Sequence, residues 1–180
     1  MDVVAVFGAS VAEAGDPAYQ DGVRCGRLLT EAGFAVATGG YGGLMEAVSL
    51  GASHANGRVI GVTVPSVFPN RDGGNAHLTH ETRARSLFDR IHELADTTVA
   101  AIALSGSLGT ATELLAAWNL AYVTRFGEER PKPVVAVGEP WATLVPLLTN
   151  ALATDGSLVT LVATVEDAVD AVAAGVGQPS

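Results

Sequence analysis

Short apolar runs alternate along the chain with longer segments whose apolar residues recur at helical spacing. A run of four to seven apolar residues closed by glycine or proline is typical of a buried strand. We predict strands at residues 3–7, 34–38, 58–64, 99–104, 133–137 and 158–162. We predict helices at residues 16–32, 44–56, from Thr82 or Ser86 to Leu94, and at 110–124, 141–153 and 165–174.

This regular alternation of strands and helices predicts the fold class. Strands separated by helices favour a parallel sheet covered on both faces, so we expect an α/β, doubly wound, Rossmann-like sheet. We expect one domain over residues 1–175 and a short tail at 176–180. Residues 65–80 have little periodicity, and long irregular loops in compact domains are often functional.

Composition and charge exclude several classes of protein. The chain is 48% hydrophobic, has one cysteine, Cys25, and carries a formal net charge of −9. A single cysteine excludes an internal disulfide framework, and no apolar run is long enough to predict a membrane span. Since the chain starts without a basic, apolar leader, we expect a cytoplasmic protein. The negative charge argues against nucleic-acid binding but permits a mononucleotide, because one phosphate needs only backbone N–H groups.

Three glycine-rich segments follow predicted strands, at residues 8–10, 38–43 and 105–110. The carboxyl ends of parallel strands meet at one edge of the sheet, where ligands bind. Glycines let a ligand approach the backbone, and a helix N-terminus adds free N–H groups. A lone glycine turn is a weak signal, and neither a Walker A loop nor a GxGxxG fingerprint is present. Three such turns at one edge favour an anion-binding site.

Several polar residues near these turns have two interpretations each. Thr110 and Glu113 have the spacing of a capping box, or both face a ligand cleft. Arg90 is either a solvated surface arginine paired with a nearby acid such as Asp89 or Glu93, or a functional residue, and Arg83 and Arg85 compete with it for any such role.

The remaining chemically versatile residues do not predict a metal or a cofactor. His77 and His80 lie in the irregular loop and lack typical metal-ligand spacing, so we expect no metal. Cys25 lies in an apolar helix and is expected to be a buried small side chain. A pyridoxal-dependent decarboxylase needs a Schiff-base lysine, and Lys132, the single lysine, lies far from the glycine turns, so we expect no resident cofactor.

Two glycine motifs and an arginine give the chain a family resemblance. Residues 38–47, TGGYGGLMEA, are similar to the first glycine motif of the LOG (Lonely Guy) family, in the form found in molybdenum-cofactor-carrier-like bacterial members. Residues 105–113, SGSLGTATE, align without gaps with the family motif PGGxGTxxE, and Arg90 precedes that motif by the family interval.

The resemblance implies a Rossmann-like homodimer that cleaves the N-glycosidic bond of a purine-type nucleoside 5′-monophosphate, such as AMP or a cytokinin nucleotide. It implies Glu113 as the acidic catalytic residue and Arg90 as its positively charged partner. It also implies phosphate contacts at Gly106, Gly109 and Thr110, and a nucleotide cleft at Gly39, Gly40, Gly43 and Met45. The glycine turns themselves add Gly8 and Ser10, and the Ser107 hydroxyl is a candidate phosphate ligand.

The chain departs from the family motif at Ser105, which replaces proline, and at Ser107, which replaces the second glycine. The alternative function is therefore a non-catalytic protein that holds a nucleotide or a pterin-type cofactor in the same cleft. For the assembly, the alternative to a homodimer is a monomer kept soluble by its charge, while the face at residues 114–118 offers apolar contacts.

Overall fold

A single parallel sheet of seven strands forms the centre of the protein. The computed structural model describes residues 1–70, 73–127 and 130–177. The strands are β1 (Val3–Phe7), β2 (Ala35–Thr38), β3 (Val59–Thr63), β4 (His80–Arg83), β5 (Ala100–Ala103), β6 (Val134–Val137) and β7 (Val159–Val162). They lie in the order β4-β3-β2-β1-β5-β6-β7, and every neighbouring pair is parallel. The predicted fold class is therefore confirmed.

The strand order reverses between β1 and β5. The chain adds β2, β3 and β4 on one side of β1, and then β5, β6 and β7 on the other. Connections that leave in opposite directions open a crevice outside the carboxyl ends of the strands at such a reversal. The turns after β1 and β5 flank this point, and both are glycine-rich.

Helices cover both faces of the sheet. They are α1 (Pro17–Glu31), α2 (Leu44–His54), α3 (Leu87–Ala95), α4 (Leu108–Thr124), α5 (Trp141–Leu152) and α6 (Val165–Val176). The core on one face includes side chains from α1, α2 and α6. The core on the other face includes side chains from α3, α4 and α5. Apart from the edge strand β4, each strand supplies both cores, because successive side chains point to opposite faces.

Small residues bring α1 and α2 into close contact. A side chain at Gly26 would overlap the carbonyl of Val48, and one at Gly51 would overlap the carbonyl of Val23. Each helix therefore places a glycine against the backbone of the other. This packing fixes α2, which begins at the second glycine turn.

The structure differs from the predicted elements in three places. Strand β4 was not predicted, because its sequence HETR has no apolar alternation. Helix α4 begins at Leu108 rather than Thr110, with Ser107 as its N-cap residue. Helix α6 continues to Val176, so the predicted tail at 176–180 starts inside it, and residues 178–180 lie outside the described part of the chain.

Two predicted helix starts are observed. Ser86 caps α3 by accepting a hydrogen bond from the Asp89 N–H, and Thr164 caps α6 by accepting one from the Asp167 N–H. Within residues 1–70, 73–127 and 130–177, no helix has both the length and the apolar character needed to cross a membrane.

Candidate functional site

Backbone hydrogen bonds join the three glycine-rich turns at the carboxyl edge of the sheet. The Ala9 N–H donates to the Ser105 carbonyl at 3.1 Å, and the Ala9 carbonyl accepts from the Leu44 N–H at 2.8 Å. The turn after β1 therefore connects the turn after β5 with the start of α2. Beside this junction lies a cleft of about 210 Å³, lined by Gly8, Ser10, Tyr41, Met45, Phe68, Leu87, Arg90, Ser107, Gly109, Thr110 and Glu113.

A buried ion pair lies in this cleft. Arg90 Nη1 donates to Glu113 Oε1 at 2.5 Å, and the two residues are only 8% and 7% exposed. Arg90 Nε also donates to the Val62 carbonyl at 2.9 Å, which fixes the guanidinium at the end of β3. Of the three arginines considered from the sequence, Arg90 is the one in the cleft, whereas Arg83 and Arg85 are exposed.

Glu113 does not fold back onto the start of its own helix. Because α4 begins at Leu108, Thr110 lies inside the first turn and cannot serve as the N-cap residue. The structure therefore rejects the capping-box interpretation. Burial raises the pKa of the Glu113 carboxyl above its ordinary value, and the Arg90 guanidinium opposes that rise. Among the described residues, only Arg90 bonds to this carboxylate, and it takes one of the two oxygens.

The N-terminus of α4 is open toward the cleft. The first intrahelical donor is the Ala111 N–H, which bonds to the Ser107 carbonyl, so the N–H groups of Leu108, Gly109 and Thr110 precede it. The Ser107 side chain makes no capping hydrogen bond. Free N–H groups and the positive end of the helix dipole favour an anion at this position.

Ser107 and Gly109 fit this turn for different reasons. Ser107 has a φ of −109°, so the serine that replaces the family glycine occupies a backbone conformation open to any residue. A Cβ on Gly109 would meet no atom of the described residues within 4 Å. Because Gly109 lines the cleft, its missing side chain leaves open space next to the free N–H groups.

Four of the predicted glycines lie behind the cleft rather than in its lining: Gly39, Gly40, Gly43 and Gly106. A side chain on Gly39 would overlap the Arg90 guanidinium, and one on Gly106 would overlap Thr110. Gly40 and Gly43 have φ values of +76° and +71°, which favour glycine. These four residues shape the turns, while Gly8, Ser10, Met45, Ser107, Gly109, Thr110, Arg90 and Glu113 line the cleft.

Sequence reasoning missed an apolar wall of the cleft made by Tyr41, Phe68 and Leu87. The Tyr41 and Phe68 rings meet edge to face, with 5.4 Å between their centroids. The Tyr41 hydroxyl accepts a hydrogen bond from the Val64 N–H at 2.7 Å. Phe68 belongs to the irregular segment 65–80. The length of that loop was the sequence feature that could have indicated a role in the cleft.

The other candidate residues lie away from the cleft. In the part of the chain that the structure describes, no three His, Cys, Asp or Glu side chains form a cluster suited to a metal. Cys25 is fully buried, and burial raises its pKa to about 12. Lys132 precedes β6, and its ammonium donates to the carbonyls of Ala95 and Thr98 before β5, at the amino edge of the sheet.

A parallel doubly wound sheet with a cleft at its reversal point defines a Rossmann-like small-molecule-binding fold. The chain belongs to the SLOG cluster4 family, which matches residues 1–168. The predicted resemblance to LOG-like proteins is thereby confirmed. No curated protein sequence matches the chain.

Solved structures with the same fold include two proteins connected with the molybdenum cofactor. The molybdenum cofactor binding protein from Rippkaea orientalis superposes with a TM-score of 0.76 at 22% identity, covering 96% of each chain. The Moco carrier protein from Chlamydomonas reinhardtii gives 0.72 at 26% identity, covering 95% of this chain and 94% of that one. The structural-genomics target TM1055 gives 0.73 at 25%, covering 94% and 97%.

Proposed function

We propose that the cleft binds a nucleoside 5′-monophosphate, with its phosphate at the N-terminus of α4. Three backbone N–H groups there have no acceptor among the described residues, and the missing side chain of Gly109 leaves room for the phosphate oxygens. Thr110 and Ser107 line the same cleft. The apolar wall of Tyr41, Phe68 and Leu87 suits the uncharged remainder of the ligand.

We infer that the protein hydrolyses the N-glycosidic bond of this nucleotide. In that reaction a water oxygen bonds to C1′ while the bond from C1′ to the base nitrogen breaks. The base leaves with the electron pair and a proton, and ribose 5-phosphate remains. Positive charge develops at C1′ in the transition state, and the Glu113 carboxylate stabilises it. The same carboxylate accepts a proton from the attacking water.

The observation that carries this proposal is the buried pair of Arg90 and Glu113 in the cleft. A carboxylate with one oxygen held by Arg90 keeps a fixed orientation and retains a second oxygen for the reaction. Burial raises its pKa, which makes it a better proton acceptor than a solvated glutamate, and Arg90 opposes that rise and so favours the ionised form. The phosphate, held several bonds away, orients the sugar against this carboxylate.

One assay tests the proposal. The protein is incubated with AMP and other purine nucleoside 5′-monophosphates, and free base and ribose 5-phosphate are measured by chromatography. Release of both products at equal rates supports hydrolysis. Glu113→Gln is the matched inactive variant, because it keeps the shape of the side chain and removes its negative charge.

The second candidate function is binding without turnover, in which the cleft holds a nucleotide or a pterin-type cofactor for delivery. The two molybdenum cofactor proteins of the same fold favour it. Tight binding of a nucleotide with no product after prolonged incubation would select this function over hydrolysis.

We also propose a homodimer formed through α4 and α5. The sequence suggested contacts at Leu114, Leu115 and Trp118, but Leu114 and Trp118 are buried in the protein's own core. Leu115 and Leu152 are 41% and 66% exposed and line a surface cavity of about 320 Å³. Sedimentation at micromolar concentration tests this assembly, since a species of only 18.3 kDa would exclude it.

A further inference from the structure

A second cavity of about 370 Å³ adjoins the cleft, and we call it the outer cavity. It is lined by Ser10, Tyr41, Gly42, Glu46, Gly73, Gly74 and Asn75. Ser10 and Tyr41 also line the cleft, so the two spaces meet at these residues. A ligand anchored by its phosphate at α4 can therefore extend past Ser10 and Tyr41 into the outer cavity.

Among the described residues that line the outer cavity, Glu46 supplies the charge. It lies in the first turn of α2, is half-buried, and makes no hydrogen bond or ion pair with any described residue. The Asn75 amide, by contrast, is already engaged: its Nδ2 donates to the carbonyls of Gly40 and Tyr41, and its Oδ1 accepts from the His77 N–H. The Glu46 carboxylate is thus the strong acceptor left for a ligand among the described residues of the cavity.

Glycine lines the cavity where a flat molecule would lie. Among the described residues, a Cβ on Gly42 would meet only Glu46 Oε2, at 3.8 Å, and a Cβ on Gly73 would meet only Glu81 Oε2, at 4.0 Å. No described residue fills the space beside either glycine, so a planar ring can approach the backbone. The first of these distances also places the Glu46 carboxylate at the side of the opening over Gly42.

We propose that the outer cavity recognises a heterocycle that presents two adjacent N–H donors, with Glu46 accepting both. A carboxylate has two acceptor oxygens and pairs with two parallel N–H groups. Guanine and pterins present a ring N–H next to an exocyclic amino group, whereas adenine presents its amino group next to a ring nitrogen that repels a carboxylate. This inference rests on the proposed phosphate site and narrows its ligand class to 2-amino-4-oxo heterocycles.

Binding measurements with matched ligands test this inference. Affinities of the full-length protein for GMP, IMP, AMP, neopterin monophosphate and ribose 5-phosphate are compared by calorimetry. IMP keeps the ring N–H of GMP and lacks only the amino group. We expect GMP or the pterin phosphate to bind at least about tenfold more tightly than IMP or AMP, because an unmatched buried polar group loses affinity. Whichever of GMP and neopterin monophosphate binds more tightly shows whether the recognised heterocycle is a guanine or a pterin.

Glu46→Gln separates recognition from helix stability. A first-turn carboxylate also stabilises a helix, so Glu166→Gln, the same change in the first turn of α6, is the control. We expect Glu46→Gln to remove the preference for GMP over IMP without changing the affinity for ribose 5-phosphate, and Glu166→Gln to change neither. Equal binding of GMP, IMP and AMP, or an unchanged preference for GMP over IMP in Glu46→Gln, would overturn this inference and leave the proposed phosphate site standing. Failure of every phosphate ligand to bind would instead overturn the proposed phosphate site.

Discussion

The Arg90 guanidinium occupies the space at the end of β2 where a side chain on Gly39 would lie. A Cβ on residue 39 would overlap Arg90 Nη2 and lie 2.5 Å from Met45 Sδ. The φ of Gly39 is not in the left-handed region, so its conformation alone does not require glycine. The glycine is needed because the guanidinium passes over it on the way to Glu113.

Gly39→Ala should therefore destabilise the protein through Arg90. Overpacking against a buried side chain costs about 1–3 kcal/mol of the free energy of unfolding. In an Arg90→Ala background the same substitution should cost much less, because the guanidinium is gone and the end of Met45 can move. Denaturant unfolding of the two single variants and the double variant measures this coupling. Gly42→Ala is the control and should leave stability unchanged, because among the described residues its methyl group would meet only Glu46 Oε2. Additive costs would contradict the explanation.

Glu113→Gln should abolish nucleotide cleavage while preserving binding. The carboxylate acts on charge that exists only in the transition state, so we expect kcat to fall at least about a hundredfold. Affinity for the nucleotide should stay within about tenfold, because the phosphate contacts at α4 are untouched. Steady-state kinetics and calorimetry measure the two quantities. Asp89→Asn, an exposed change on α3, should alter neither.

The pH dependence of cleavage should reflect the titration of the Glu113 carboxyl. The ionised carboxylate is the active form, so kcat/KM falls as pH drops through its pKa, which lies above its ordinary value of 4.5. Arg90 holds this pKa down, so Arg90→Met should move the acidic limb to higher pH. A pH–rate profile of both proteins measures the shift. A limb that moved to lower pH would show that another group controls the reaction.

Gly109→Ala should separate stability from ligand binding. The added Cβ meets no neighbouring atom, and alanine in a helix is favoured over glycine by about 0.5–1 kcal/mol, so the free energy of unfolding should rise. The same methyl group fills the space beside the free N–H groups, so affinity for ribose 5-phosphate should fall about fivefold or more. Gly15→Ala, also in open space but outside the cleft, serves as the control. A variant that binds as tightly as the wild type would place the phosphate elsewhere.

The sequence predicted most of the sheet because its strands are buried on both faces. Such strands are continuous apolar runs that end at glycine turns, and this signal is strong. Strand β4 lacked it, because it lies at the edge and its residues are mostly half-buried or exposed. Its pairing with β3, in which Ile60 aligns with His80, places it in the sheet, and such a long-range contact has no local signature.

The sequence predicted the residues of the candidate site that belong to recognisable motifs. Arg90 and Glu113 are 23 positions apart in sequence, and only the packing of α3 against α4 brings them together. No motif indicated that Phe68 and Leu87 line the cleft. Apolar side chains are common in loops and at helix starts, so their presence there predicts nothing. Ser107 departs from the glycine of the family motif, and its φ of −109° shows that a serine fits this turn without backbone strain.

The open end of α4 also has a consequence for the kinetics of ligand capture. The charged side chains of the cleft, Arg90 and Glu113, cancel, so backbone dipoles attract the phosphate only at short range. At long range a dianion meets a chain of net charge −9. Added salt shortens the reach of that repulsion, from about 10 Å at 0.1 M to about 3 Å at 1 M. Association should therefore accelerate as ionic strength rises, the opposite of the behaviour of phosphate sites made from lysine and arginine clusters.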